Sequence, residues 1–178
     1  RKLGYSPHVM RGVARTGIGA IGDERTHANL EALATWPQVE SVTPIQKRYK
    51  LVSREAHPSD STVTTRGVVV GGRKFQVMAG PCSVESEEQT VSTARAVRAA
   101  GASILRGGAY KPRTSPYEFR GLGRRGLEIL ATAREETGMP IITEVMTPAD
   151  IETVNEFTDI FQIGARNSQN YLLLEEVG

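Results

Sequence analysis

The chain has 178 residues, 22 Lys plus Arg against 20 Asp plus Glu, a net charge of +2, and 39% apolar and 24% charged side chains, a balance that excludes a disordered or collagen-like chain. No apolar run nears the ~20 residues that span a bilayer, and Arg1 to Gly12 has neither an initiator Met nor the apolar stretch of a signal peptide, so no membrane partner is expected. The single cysteine, Cys82, rules out an internal disulfide scaffold and suits a reducing, cytoplasmic setting.

Residues 1–50 read as a small α+β piece. Residues 1–10 look like the tail of a first helix. Residues 17–22 (GIGAIG) alternate apolar residues with glycine and predict a strand. Gly17, Gly19 and Gly22 also fit the G-x-G-x-x-G dinucleotide pattern, but Arg11 to Thr16 is not the apolar strand that pattern needs in front of it. A helix is expected over Glu24–Ala34, ended by Pro37, and a strand over Val39–Tyr49. Residues 51–66, rich in Ser and Thr with Pro58, read as a linker. Val68–Val70, Gly71-Gly72 and Phe75–Met78 read as a hairpin feeding a second domain, 67–178.

From Phe75 the pattern is strand, loop, helix, repeated. Strands are predicted at Phe75–Ala79, Ser103–Leu105, Ile141–Thr143 and Ile160–Ile163. Ser86 to Gln89 is a capping box opening a helix with Val91, Ala94 and Val97 on one face and Gly101 after its end. Leu127, Leu130 and Ala133 mark a second helix, closed by Gly138 and Pro140. Thr147-Pro148 opens a third, and a fourth is expected near Ser168. Alternating β and α elements predict a parallel sheet with covered faces, as in a (β/α)₈ barrel.

In such a fold the ends of the strands share one face, the usual place of a barrel's active site. Here those ends carry Cys82, then Arg106 and Lys111, then Glu144, then Gly164, Ala165 and Arg166. Three cations suit carboxylate and phosphate groups. Glu144 is either a salt-bridge partner that aims a cation or a proton-transfer group. Taken singly, each has an ordinary explanation: a small buried cysteine, an Arg106–Glu144 ion pair, a stiff solvated loop over 111–116. Between Arg106 and Arg125 stand six basic residues and one acid, Glu118. So local a cluster in a nearly neutral chain points to a small anion rather than to nucleic acid.

These residues carry a resemblance. AGPCSVES (79–86), LRGGAYKPRTSPYEFRGLG (105–123), ITEVM (142–146) and QIGARNSQN (162–170) resemble the 3-deoxy-D-arabino-heptulosonate 7-phosphate (DAHP) synthases, in the microbial branch with an N-terminal ferredoxin-like regulatory domain. KRYKLVSREAHPSDSTV (47–63) resembles that branch's interdomain linker. The resemblance implies a small ferredoxin-like domain followed by the first half of a TIM barrel, and a transferase that condenses phosphoenolpyruvate with erythrose 4-phosphate on the way to chorismate. It implies a divalent metal ion (Mn, Co, Fe or Zn) with Cys82 as a ligand. It gives Arg106, Lys111 and Arg166 to phosphoenolpyruvate, with backbone contacts at Gly164 and Ala165, and Arg113 and Thr114 to the aldose phosphate. Lys111 and Glu144 become catalytic candidates. A tyrosine or phenylalanine effector and a homo-oligomer, a tetramer in the family, also follow. The related 3-deoxy-octulosonate 8-phosphate synthases carry a different loop where KPRT (111–114) stands; a lone effector-binding module is the non-enzymatic alternative.

A full barrel takes roughly 250 residues, so four strands and the family's other metal ligands are expected to lie outside this sequence. His8, His27 and His57 all precede the barrel and match no ligand. The chain therefore reads as a fragment, inactive by itself.

Overall fold

The computed structural model describes residues 4–22, 30–43, 49, 52–54 and 57–178. They fall into two compact units, 1–60 and 61–178.

The first unit is built on an antiparallel hairpin of β1 (Ser6–Arg11) and β2 (Thr16–Ile21), with Val9 opposite Ile18. The glycine-rich strand is as expected, with Gly17 and Gly19 inside its extended backbone. The reading of residues 1–10 as a helix tail is corrected: Ser6 to Met10 is strand. Pro7 and β-branched Val9 disfavour helix, and the turn from Gly12 to Arg15, closed by the Gly12 N–H donating to the Arg15 carbonyl (2.9 Å), returns the chain beside itself. Of the helix expected over 24–34, residues 24–29 lie outside the described residues. Leu30–Thr35 is a 3₁₀ helix, ending just before Trp36-Pro37, where proline disfavours helical backbone in the residue ahead of it. Residues 39–43 form no strand, and 44–48 lie outside the described residues.

The second unit starts with a hairpin of β3 (Val63–Thr65) and β4 (Val68–Val70). Val68–Val70 thus pairs backward, not forward with Phe75–Met78, and part of the expected linker is strand. The two-residue turn decides this: Arg66 (φ 42°) and Gly67 (φ 78°) both take left-handed backbone, the geometry that matches strand twist.

Then comes a four-stranded parallel sheet, β5 (Met78–Ala79), β6 (Ile104–Arg106), β7 (Ile141–Glu144) and β8 (Ile160–Gln162), in that spatial order. All four lie where the sequence put them, trimmed or shifted by one to three residues. Helices cover it: α1 (Glu87–Ala99), α2 (Arg124–Thr137), α3 (Ile151–Asn155) and α4 (Tyr171–Val177). The Ser86 hydroxyl accepts from the Gln89 N–H (3.2 Å), and the Gln89 side chain accepts from Glu85 N–H (3.4 Å) rather than from Ser86, a capping box displaced by one residue. The fourth helix starts at Tyr171, not Ser168. A 3₁₀ turn, Ala165–Asn167, comes first, and the Asn170 side-chain oxygen Oδ1 caps the helix by accepting from Leu173 N–H. Leu105, Leu127, Leu130, Met139, Ile141 and Val154 are fully buried between sheet and helices. Exposed ion pairs join neighbouring helices: Arg125 to Glu87 (3.1 Å), Arg95 to Glu136, and Arg124 to Glu156 (2.7 Å). No helix among the described residues is long and apolar enough to cross a membrane.

At the end of the sheet where the strands begin, Asp159 is the tie-point. Its carboxylate accepts from Ile141 N–H (2.8 Å), from Arg134 (3.3 Å) and, across the chain from the hairpin turn, from Arg66 (2.5 Å). Burial alone would raise its pKa, but these three donors outweigh burial and hold it below the ordinary value. A carboxyl lowered in the folded state adds stability above the unfolded pKa and loses it as pH falls through the folded one. Asp159→Ala is therefore expected to cost about 3 kcal/mol at pH 7, because Arg134 is left without its carboxylate, and less below pH 4. Chemical denaturation at the two pH values checks this; an equal loss at both would remove the electrostatic account.

Candidate functional site

The C-terminal ends of β5 to β8 meet on one side of the second unit. Cys82 follows β5 and is exposed, which overturns its reading as a small buried residue. Lys111 reaches it from the loop after β6: Nζ donates to the Cys82 carbonyl (2.8 Å) and stands 3.2 Å from Sγ. Arg106, the last residue of β6, donates from Nη1 to the Cys82 carbonyl (3.2 Å) and from Nε to Gln162 Oε1 on β8 (3.2 Å). The hydrogen bond and charge of Lys111, with a smaller part from Arg106, lower the thiol pKa against a slight opposing effect of burial. These two cations favour the thiolate of Cys82, the form that binds metals.

Glu144 ends β7 and is only 6% exposed. It makes no ion pair with Arg106, whose partner is Gln162; Oε1 has no hydrogen-bond partner among the described residues. Its neighbour is Gly164. A Cβ at position 164 would stand 1.9 Å from Glu144 Oε1, so glycine is required there by proximity. Gly107 and Gly108 likewise make room for protein neighbours, Leu130 on one side and the Cys82 carbonyl on the other. The carbonyls of Gly164 and Ala165 accept within the 3₁₀ turn, from Asn167 N–H (2.9 Å) and Ser168 N–H (3.4 Å).

Beside this cluster opens a cleft of about 420 Å³, lined by Lys111, Arg113, Thr114 and Arg166, together with Tyr110, Arg120, Met146 and Asn167. Four cations and, among the described residues, no carboxylate face it. Lys111 belongs both to the cleft and to the cysteine. The sequence reading missed Arg120 and Gln162. Arg120 was visible as one of the six basic residues between 106 and 125, whereas nothing in the sequence pairs Gln162 with a residue 56 positions earlier.

A metal ion is the cofactor such a cysteine suits. Cys82 fits as one donor, but no group of three His, Cys, Asp or Glu lies together among the described residues. These residues do not complete a metal site by themselves; Cys82 would be one ligand of it.

Comparison with known proteins gives two matches, one in each part of the chain. Residues 1–47 match the DAHP synthase ferredoxin-like domain, and residues 52–178 match the DAHP synthetase I family. A phospho-2-dehydro-3-deoxyheptonate aldolase of Thermotoga maritima is 47% identical over 96% of the chain. A 2-dehydro-3-deoxyphosphooctonate aldolase of Nitratidesulfovibrio vulgaris is 37% identical over 61% of the chain and 41% of its own length. The crystal structure of the Thermotoga maritima aldolase, a DAHP synthase by its description, superposes with a TM-score of 0.71 at 45% identity, over 98% of this chain and 51% of that one. The chain spans about half the length of the Thermotoga relative.

Proposed function

Because the chain belongs to the DAHP synthetase I family, we propose that the protein carrying it condenses phosphoenolpyruvate with erythrose 4-phosphate to DAHP and inorganic phosphate. One observation supports this most: four cations face a cleft whose inner wall, Lys111, also contacts the Cys82 sulfur.

In this reading Arg106, Lys111 and Arg166 bind the carboxylate and phosphate of phosphoenolpyruvate and orient C3 toward the aldehyde. Fixing that approach removes much of the entropic barrier. Arg113 and Thr114, on the outer part of the loop, take the phosphate of the aldose. The C–C bond forms between C3 and the aldehyde carbon, water adds at C2, and the bond from C2 to the bridging phosphate oxygen breaks, the departing phosphate taking the remaining proton of the C2 hydroxyl as the ketone forms. Lys111 Nζ gives its proton to the alkoxide formed from the aldehyde oxygen. Glu144 Oε1, which has no other partner among the described residues, takes a proton from the added water. A divalent ion, with Cys82 as one ligand, supplies polarisation of the aldehyde when bound.

The octulosonate alternative is supported by the shorter match of such aldolases, but KPRT (111–114) favours the heptulosonate reading. For residues 1–50 we infer a regulatory role, with tyrosine or phenylalanine as effector; calorimetric titration with each tests it. A homo-oligomer completes the reading, and light scattering on the whole protein tests that.

The test of function is phosphate release from phosphoenolpyruvate by the complete protein, required to depend on erythrose 4-phosphate. Release with arabinose 5-phosphate instead would transfer the chain to the octulosonate reaction. The two pockets separate by mutation. Arg113→Ala should raise KM for erythrose 4-phosphate, and Arg166→Ala that for phosphoenolpyruvate, each by about tenfold or more, the loss of a hydrogen bond to a charged group. Equal effects on both substrates would show the division is wrong.

A further inference from the structure

We propose that Arg120 is a specificity-determining residue of the cleft, a second guanidinium beside Arg113 for the phosphate of the aldose. The inference rests on the reading of this cleft as the aldose-phosphate pocket and adds a residue which that reading leaves unused.

Charge is the first argument. A phosphate monoester carries close to two negative charges at neutral pH, and Arg113 alone offers one positive charge. Arg113 is also partly engaged, since its Nε donates to the Phe119 carbonyl of its own loop (3.3 Å). Arg120 lines the same cleft, and its guanidinium has no ion pair and no hydrogen bond among the described residues.

Rigidity is the second argument. Arg113 and Thr114 stand out on the loop, whereas Arg120 stands where the loop returns. The Lys111 N–H donates to the Arg120 carbonyl (2.8 Å), and the Gly123 N–H donates to the Ala109 carbonyl (3.0 Å). Between these two bonds Gly121 takes φ +94°, and a Cβ there would lie 2.1 Å from the Ala109 carbonyl oxygen. Only glycine allows that return, so the backbone under Arg120 is fixed before any ligand arrives. A cation on a fixed base loses less freedom on binding than one on a loop tip.

The experiment is steady-state kinetics of the complete enzyme with Arg120→Ala and Arg120→Lys. Arg120→Ala should raise KM for erythrose 4-phosphate about tenfold, the effect of one lost charge-assisted bond in a cleft open to water. Arg120→Lys keeps the charge without the planar fork and should raise it about threefold. KM for phosphoenolpyruvate should stay within about twofold, since Arg120 adds to the other phosphate subsite. Erythrose, which lacks the phosphate, should be turned over equally by wild type and Arg120→Ala. The side chain is exposed, so both variants should melt with the wild type. An unchanged KM for erythrose 4-phosphate, or equal rises for both substrates, would overturn the inference. A wild-type enzyme that releases no phosphate from the substrate pair would instead overturn the reading beneath it, and does so before any variant is made.

Discussion

Cys82→Ala in the complete protein is expected to cut turnover by at least about a thousandfold while leaving the fold intact, the loss of the several kcal/mol a metal centre contributes. The side chain is exposed, so alanine removes a ligand and leaves no cavity. Lys111 and Arg106 keep their bonds to the Cys82 carbonyl, so the local backbone retains its supports. The lowered thiol pKa eases the loss of the proton that metal binding displaces. Metal content per chain, circular dichroism and phosphate release check the result together. Full metal content with full activity would take Cys82 out of the site.

The second large effect is expected from the smallest change. Gly164→Ala adds one carbon, yet that carbon would meet the Glu144 carboxylate at 1.9 Å from Oε1 and 2.7 Å from Cδ. Backbone conformation is no obstacle, because Gly164 has φ −71°, open to any residue. The whole cost is the collision with a side chain that is itself buried. Relieving it by moving Glu144 should cost about 1–3 kcal/mol of stability, as for other overpacked sites. Turnover should fall about a hundredfold, because displacing a reacting group by 1 Å has that effect. The double variant Gly164→Ala with Glu144→Ala should recover most of the stability and none of the turnover. Additive stability losses would show that the two residues do not press on each other.

Much of the second unit was legible because its punctuation is local. The Ser86 cap, Gly138 after α2 and Thr147-Pro148 each act within a turn of the chain, and each stands where the sequence put it. Cys82, Arg106 and Lys111 were also expected together, since parallel strands must end on one side. The partners of these groups were not legible. Whether Arg106 would choose Glu144 or Gln162 depends on the register of β6, β7 and β8, which leaves no mark in local pattern. The hairpin of β3 and β4 was missed because Arg66, a residue with a side chain, takes a left-handed conformation, whereas Gly71-Gly72 looks the better turn. Strand β1 was missed because it is exposed along nearly all of its length, and such a strand carries no regular apolar alternation.

In the parallel sheet every strand after β5 has as a neighbour the one that precedes it in the chain, β5-β6-β7-β8. On a translating ribosome this order means that no strand after β5 waits for its first partner to be made. At ~5–20 residues per second, each new βα unit emerges within a few seconds of the last and finds a finished edge to add to. The ion pairs from α1 to α2 and from α2 to α3 follow the same succession. The sheet can therefore be assembled vectorially, its growing edge left bare only for the time needed to synthesise the next unit.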